Sequence, residues 1–219
     1  MSKRIVVSLL CVASLSGCAS FIAGGTGSAP VGTQNGVRSL GQAIIDKSIE
    51  RTAYINLFKL DYRFKQSRVN ISSFFGSVLI TGQVPDANLK KLAEDNLKAM
   101  SDVKSVHNYI TVGPQISYGT IMQDTAVTAN TRGLIAKASV ISDSKVSVHT
   151  EDAVLYVMGR LNQAEIDDLK QVLEQVGNVT KIVTLIDPID ATGTLQPTVQ
   201  TPVAVESNTR GANTTPYTN

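Results

Sequence analysis

The sequence predicts an α+β protein made of two tandem copies of one α-β-β-α-β unit. Three observations lead there: an internal repeat at near-constant spacing, short alternating runs joined by tight turns, and helix-period apolar stripes around them. Val69-Asn70-Ile71-Ser72 aligns with Val146-Ser147-Val148-His149, and Val78–Val84 with Leu155–Leu161, each 77 residues on. Val103-x-x-Val106 aligns with Val179-x-x-Ile182 at 76, and Asp46-x-x-Ile49 with Asp124-x-x-Val127 at 78. Four blocks at nearly one offset define a unit of about 65–70 residues.

The elements follow in order. In the second copy Val127, Thr131, Leu134, Ile135 and Ala138 share one helical face, and Asp124 suits the N-cap. Val146/Val148 and then Leu155/Val157/Gly159/Leu161 alternate as two strands around a tight loop. Asn162 with Glu165 resembles a capping box before a stripe of Ile166, Leu169, Val172, Leu173 and Val176, and Gly177-Asn178 ends that helix. A last strand, Ile182 to Ile186, stops at Pro188. The first copy matches, with Leu89, Leu92, Ala93, Leu97 and Met100 on its second helix. Two helices are expected on one face of a three-stranded mixed sheet. Each unit has a thin core, so contact between the copies is expected to add stability. The expected domains are 39–112 and 119–188.

The ends differ from this middle. Lys3 and Arg4 precede an apolar run from Ile5 to Leu15 that is too short to span a bilayer and closes on Leu15-Ser16-Gly17-Cys18. This resembles a bacterial lipobox. The resemblance implies a signal peptide over 1–17, cleavage before Cys18, and diacylglycerol on the Cys18 thiol. Ala19, in place of an inner-membrane-retaining Asp, implies the outer membrane. Residues 18–38 are expected to tether the lipid to the first domain, with a reach of roughly 20–25 Å. Residues 189–219 are rich in Thr, Pro and Asn and are expected to be disordered. The chain has 2 cysteines. With Cys11 in the leader and Cys18 acylated, none is left for a disulfide or a metal site.

Removing Lys3 and Arg4 with the leader leaves 18 basic and 18 acidic residues. They are unevenly placed: residues 19–112 carry 11 basic and 7 acidic side chains, residues 113–188 carry 6 and 9. A nearly neutral exported chain is not expected to bind nucleic acid. His107 and His149 each adjoin a core-facing valine, so alternation points both outward, and neither has a Cys or carboxylate at metal-ligand spacing. Ser101-x-x-Lys104 matches a nucleophile motif by letters but falls in a turn. Gly82 and Gly159 sit within strands, where close helix packing or a bulge is expected. No cofactor, no metal and no catalytic group are expected, and a monomer is. One surface does invite contact. Lys59, Arg63, Lys65 and Arg68 interleave with Phe58, Tyr62 and Phe64, a mixture suited to anionic headgroups. Phe74-Phe75 stands at a hairpin tip where the second copy has Glu151-Asp152. It is expected either to meet a membrane or partner or to fill the contact between the copies.

A helix, an apolar strand pair with Gly in the second strand, and a helix leading to V-x-x-V-x-N-x-[IV] resemble the BON domain. The first copy has that ending in full in Val103, Val106, Asn108 and Ile110, while the second has Thr184 where Asn is usual. Lipobox, tether, two such repeats and a polar tail together resemble the DolP-like family of dual BON-domain outer-membrane lipoproteins. The resemblance implies a non-enzymatic, periplasm-facing lipoprotein that supports outer-membrane integrity and gathers at the division site. It implies contact with anionic phospholipid of the inner leaflet through the start of the second repeat's first helix. Here that region includes Gly119, Met122, Asp124, Thr125, Ala126, Val127 and Arg132. Family members can carry tryptophan two residues after the aspartate; this chain has Ala126 there and no Trp. The alternative is docking of outer-membrane assembly, division or peptidoglycan-remodelling proteins through strand edges and the Phe74-Phe75 tip.

Overall fold

The computed structural model describes residues 36–138, 141–196 and 204–206. The expected signal peptide, Cys18 and most of the tether lie outside the described residues. In the first repeat, α1 (Leu40–Leu60) starts at Ser39, whose hydroxyl accepts the Gln42 amide. A 3-10 turn (Tyr62–Gln66) leads into β1 (Arg68–Phe74) and β2 (Ser77–Val84). Then come α2 (Ala87–Lys98), capped by Asp86, and β3 (Ser105–Val112). The second repeat runs α3 (Tyr118–Ala138), β4 (Val146–Glu151), β5 (Val154–Leu161), α4 (Gln163–Leu173) and β6 (Lys181–Pro188). Both halves of the Asn162–Glu165 capping box form.

Each repeat is an α+β layer with one mixed sheet. β1 pairs antiparallel and β3 parallel with the central β2, and β4 and β6 do the same around β5. One strand was not expected. β7 (Ala204–Glu206), inside the Thr/Pro/Asn-rich tail, pairs antiparallel with β6 through Lys181↔Glu206 and Val183↔Ala204. Composition argues against a core there, but pairing at a sheet edge needs only backbone groups. Residues 36–38, expected as tether, also pack. The Arg38 amide donates to the Ser144 carbonyl at 3.2 Å, and a Cβ on Gly36 (φ 76°) would lie 2.4 Å from the Arg160 carbonyl oxygen.

Helices cover one face of each sheet. Ile49, Ala53 and Leu57 of α1 and Leu89, Ala93 and Leu97 of α2 bury Val78, Ile80 and Val84. Val127 and Ile135 of α3 and Leu169 and Val172 of α4 bury Leu155, Val157 and Leu161. The opposite faces meet each other in a third core of Phe74, Leu79, Tyr156, Met158 and Val183. The layers therefore run helix, sheet, sheet, helix. This explains the unbroken apolar runs Val78-Leu79-Ile80 and Leu155-Tyr156-Val157-Met158, because strands buried on both faces do not alternate. Each side chain so buried contributes about 1.5–3 kcal/mol.

The aligned aspartates hold the hairpins. Both turn residues have positive φ, Phe75 (53°) and Gly76 (80°) in one repeat, Asp152 (51°) and Ala153 (58°) in the other. That geometry matches the strand twist but strains any residue with a Cβ. The buried Asp46 carboxyl accepts the Phe75 and Gly76 amides, both at 3.0 Å, and the Ser73 hydroxyl at 2.9 Å. Asp124 accepts the Asp152 and Ala153 amides at 2.8 and 3.0 Å. Asp124 is thus not an N-cap; it lies inside α3, and the helix begins upstream. Nor do helices explain the strand glycines. A Cβ on Gly82 would lie 2.1 Å from the Arg68 carbonyl oxygen, and one on Gly159 2.8 Å from that of Lys145, so each admits a neighbouring backbone.

Candidate functional site

The start of α3 presents most of the residues implied in lipid contact. Ser117 caps it, its hydroxyl accepting the Thr120 amide at 3.1 Å. Tyr118 (76% exposed) and Met122 (52%) lie one turn apart and open to solvent. Gly119, Thr125, Ala126 and Arg132 are also exposed. The Thr125 hydroxyl bonds back to the Ile121 carbonyl, and Arg132 Nη2 donates to the Val148 carbonyl at 3.2 Å. Asp124 and Val127 do not belong to this surface: one holds the hairpin, the other enters the core. Asp124 is also the only charged residue from Ser105 to Thr131. With its carboxyl turned inward, the helix start exposes apolar and neutral groups at the positive end of the helix dipole. Tyr118 is the exposed residue that sequence reading missed; its place four residues before Met122 was the available signal.

The alternative surface is largely dismantled by the fold. Lys59 and Lys65 are exposed. Arg63, however, is held by Asp61 (2.8 Å) and Asp86 (2.6 Å), and Arg68 by Glu151 (2.9 Å). Phe74 is 2% exposed, and Phe75 packs beside it in the core between the sheets. Arg38 lies over the Phe74 ring at 5.1 Å and Arg160 over Phe75 at 3.8 Å. The Phe74-Phe75 tip therefore fills the contact between the repeats and is not a free membrane or partner surface. Phe58 and Tyr62 of the alternative surface do stay open, and with Leu40, Ile44, Ile45, Ile55 and Leu60 they leave exposed apolar groups on and just after α1; Val112 of β3 is exposed as well.

A polar network closes the same contact. Glu151 accepts from Arg68 Nε (2.9 Å), Asn70 Nδ2 (2.8 Å) and Gln83 Nε2 (3.1 Å). His149 lies 3.7 Å away and meets Thr81 Oγ1 at 3.1 Å. Burial pushes the Glu151 carboxyl up, but the His149 ring, the Arg68 guanidinium and the Gln83 amide outweigh it and hold the group at about 2. His107 meets Ser77 Oγ at 3.1 Å, and burial lowers its ring pKa. Neither histidine is a freely solvated surface residue, because the outward sheet faces are the ones that meet. Ser101 stays exposed in its turn. Among the described residues no three His, Cys, Asp or Glu side chains gather as a metal site, and no helix is long and apolar enough to cross a membrane.

Two α-β-β-α-β layers, each a mixed sheet under two helices, define a tandem-domain protein of one small fold. The chain belongs to the BON domain family, whose model matches residues 56–114 and 123–187. It is 28% identical over 190 residues, 86% of its own length and 97% of the relative's, to the outer membrane lipoprotein DolP of Haemophilus influenzae. It is 27% identical over 150 residues to a 21 kDa hemolysin of Actinobacillus pleuropneumoniae, covering 68% of this chain and 77% of that one. Among solved structures, CdsD, a structural protein of the type III secretion system of Chlamydia trachomatis, matches 64% of this chain and 93% of its own at 11% identity, with a TM-score of 0.26.

Proposed function

We propose that this protein is a periplasm-facing outer-membrane lipoprotein, anchored through Cys18, whose second BON domain rests on anionic phospholipid through the start of α3. In this reading it works without catalysis, supports outer-membrane integrity and gathers at the division site. Similarity to DolP along 86% of the chain supports the compartment and the anchor. The observation that carries the lipid contact is the pairing of exposed Tyr118 and Met122 at a helix start whose one acid is buried. Aromatic and thioether side chains enter the interfacial zone, while the helix dipole favours the negative headgroup layer. Anchor and helix act together. A tethered weak contact is occupied at the effective concentration the tether sets, so lipid composition is sensed without high intrinsic affinity.

The test is flotation of the full chain with phosphatidylglycerol or phosphatidylcholine vesicles. Tyr118→Asp with Met122→Asp should lower binding to anionic vesicles at least tenfold, and Ala126→Trp should raise it several-fold. Unchanged binding in both variants would refute contact through α3. A second reading is favoured by Leu40, Ile44, Ile55, Phe58 and Tyr62, which leave the α1 side open. It is a scaffold that docks a protein of envelope assembly or remodelling there. Amide shifts on α1 that require protein and are absent with lipid alone would select it.

A further inference from the structure

Beyond the α3 surface, the groove between the two repeats has the chemistry of an anion site. We propose that it binds a phosphate-type anion, either a free phosphate or the phosphodiester of a lipid headgroup. The groove encloses about 290 Å³ and brings together Arg38 and Lys47 from the first repeat and Arg132 from the second. This is the small end of the range for ligand cavities, which suits a small anion or a headgroup. Ser72 and Ser147 line it with hydroxyls 3.5 Å apart.

Charge is unbalanced there. Glu50 is the only carboxyl in the lining, and it is already engaged by the Ser73 amide (3.0 Å) and Lys47 (2.6 Å). Arg38 Nη1 donates to the Ser73 carbonyl at 3.5 Å and reaches Asp46 only at 3.6 Å, and Asp46 already accepts two amides, a hydroxyl and the Gln42 side chain. Arg132 spends one donor on the Val148 carbonyl, and no carboxyl of the described residues forms an ion pair with it. Two incompletely neutralised guanidinium groups on opposite repeats offer planar donor forks, the geometry that phosphate oxygens accept. Because the cations come from both repeats, the site exists only while the sheets are docked. Its ligand therefore stabilises that docking by mass action.

The test follows backbone amides of the full chain by NMR, with chloride at matched ionic strength as control. The probes are inorganic phosphate, glycerol 3-phosphate and phosphatidylglycerol vesicles. Saturable shifts at Lys47, Ser72 and Ser147 are expected. Arg132→Gln with Lys47→Gln should weaken binding at least tenfold. Glu50→Gln, which keeps an acceptor for the Ser73 amide, should strengthen it several-fold. Shifts with phosphate alone assign a free anion, and groove shifts only with vesicles assign the headgroup; both support the site. Absence of groove shifts with all three probes overturns it. Shifts confined to Gly119–Met122 would also overturn the groove site while leaving the α3 contact standing.

Discussion

The two repeats share a backbone plan and differ in how they secure it. In the first, Asp46 takes two turn amides, the Ser73 hydroxyl and the Gln42 side chain, and the turn carries Gly76. In the second, Asp124 takes the two amides alone among the described residues, and the turn carries Ala153 at positive φ. The outer strands differ as well. Asn108 on β3 accepts the Ile110 amide and donates to the Lys90 carbonyl, so a side chain occupies part of that edge. β6 has Thr184 at the matching position and pairs with β7. The fold requires that turn amides and strand edges find partners, but leaves open which residues supply them.

The largest effect should come from the aspartates. Asp46→Ala strands four donors, two of them turn amides, and should cost about 3–5 kcal/mol in denaturant unfolding, against about 2–3 for Asp124→Ala. Equal costs would erase the distinction between the hairpins. Next is the acid limb. Glu151 titrates lower in the folded protein, from an ordinary 4.5 to about 2, so its contribution is full above pH 5 and is lost as pH falls toward 2. Wild type should lose on the order of 2–3 kcal/mol across that window, and Glu151→Gln should flatten the profile there. An unchanged slope in the variant would assign acid sensitivity elsewhere. The smallest effect should be a gain. Ala153→Gly relieves a Cβ at positive φ and should stabilise by about 1 kcal/mol. Gly76→Ala should destabilise, since its Cβ would lie 2.8 Å from the Asp102 carbonyl oxygen.

Much of this was legible in the sequence, for physical reasons that also mark where legibility stopped. The repeat offset and the Asn162–Glu165 capping box are local patterns and reappear in the structure, and β4 alternates over Val146–Thr150, but the alternation expected for Leu155–Leu161 does not reappear, because β5 is buried on both faces. The contact between the repeats is not local. Leu79, Tyr156 and Met158 read as strand residues, and only the unbroken apolar runs hinted that both faces were covered. Arg68 read as surface because its partner lies in the other repeat, and Phe74-Phe75 stayed open between a membrane or partner surface and the contact between the copies, which the third core decides. Asp124 read as a cap because an aspartate before an apolar stripe fits that role, whereas its partners are 28 and 29 residues away. At the candidate lipid contact, Met122 and Gly119 came through family resemblance. Tyr118 needed the helix start to be placed.

Gly36 and Arg38 give the molecule a mechanical character. The chain enters the first repeat only after touching the second, at the Arg160 carbonyl and the Ser144 carbonyl. In the proposed anchored state, a pull from the membrane reaches the second repeat before it reaches α1. The contact of Arg38 with Ser144 then ties the start of the first helix to the second repeat, so a load on the tether would be passed to both repeats.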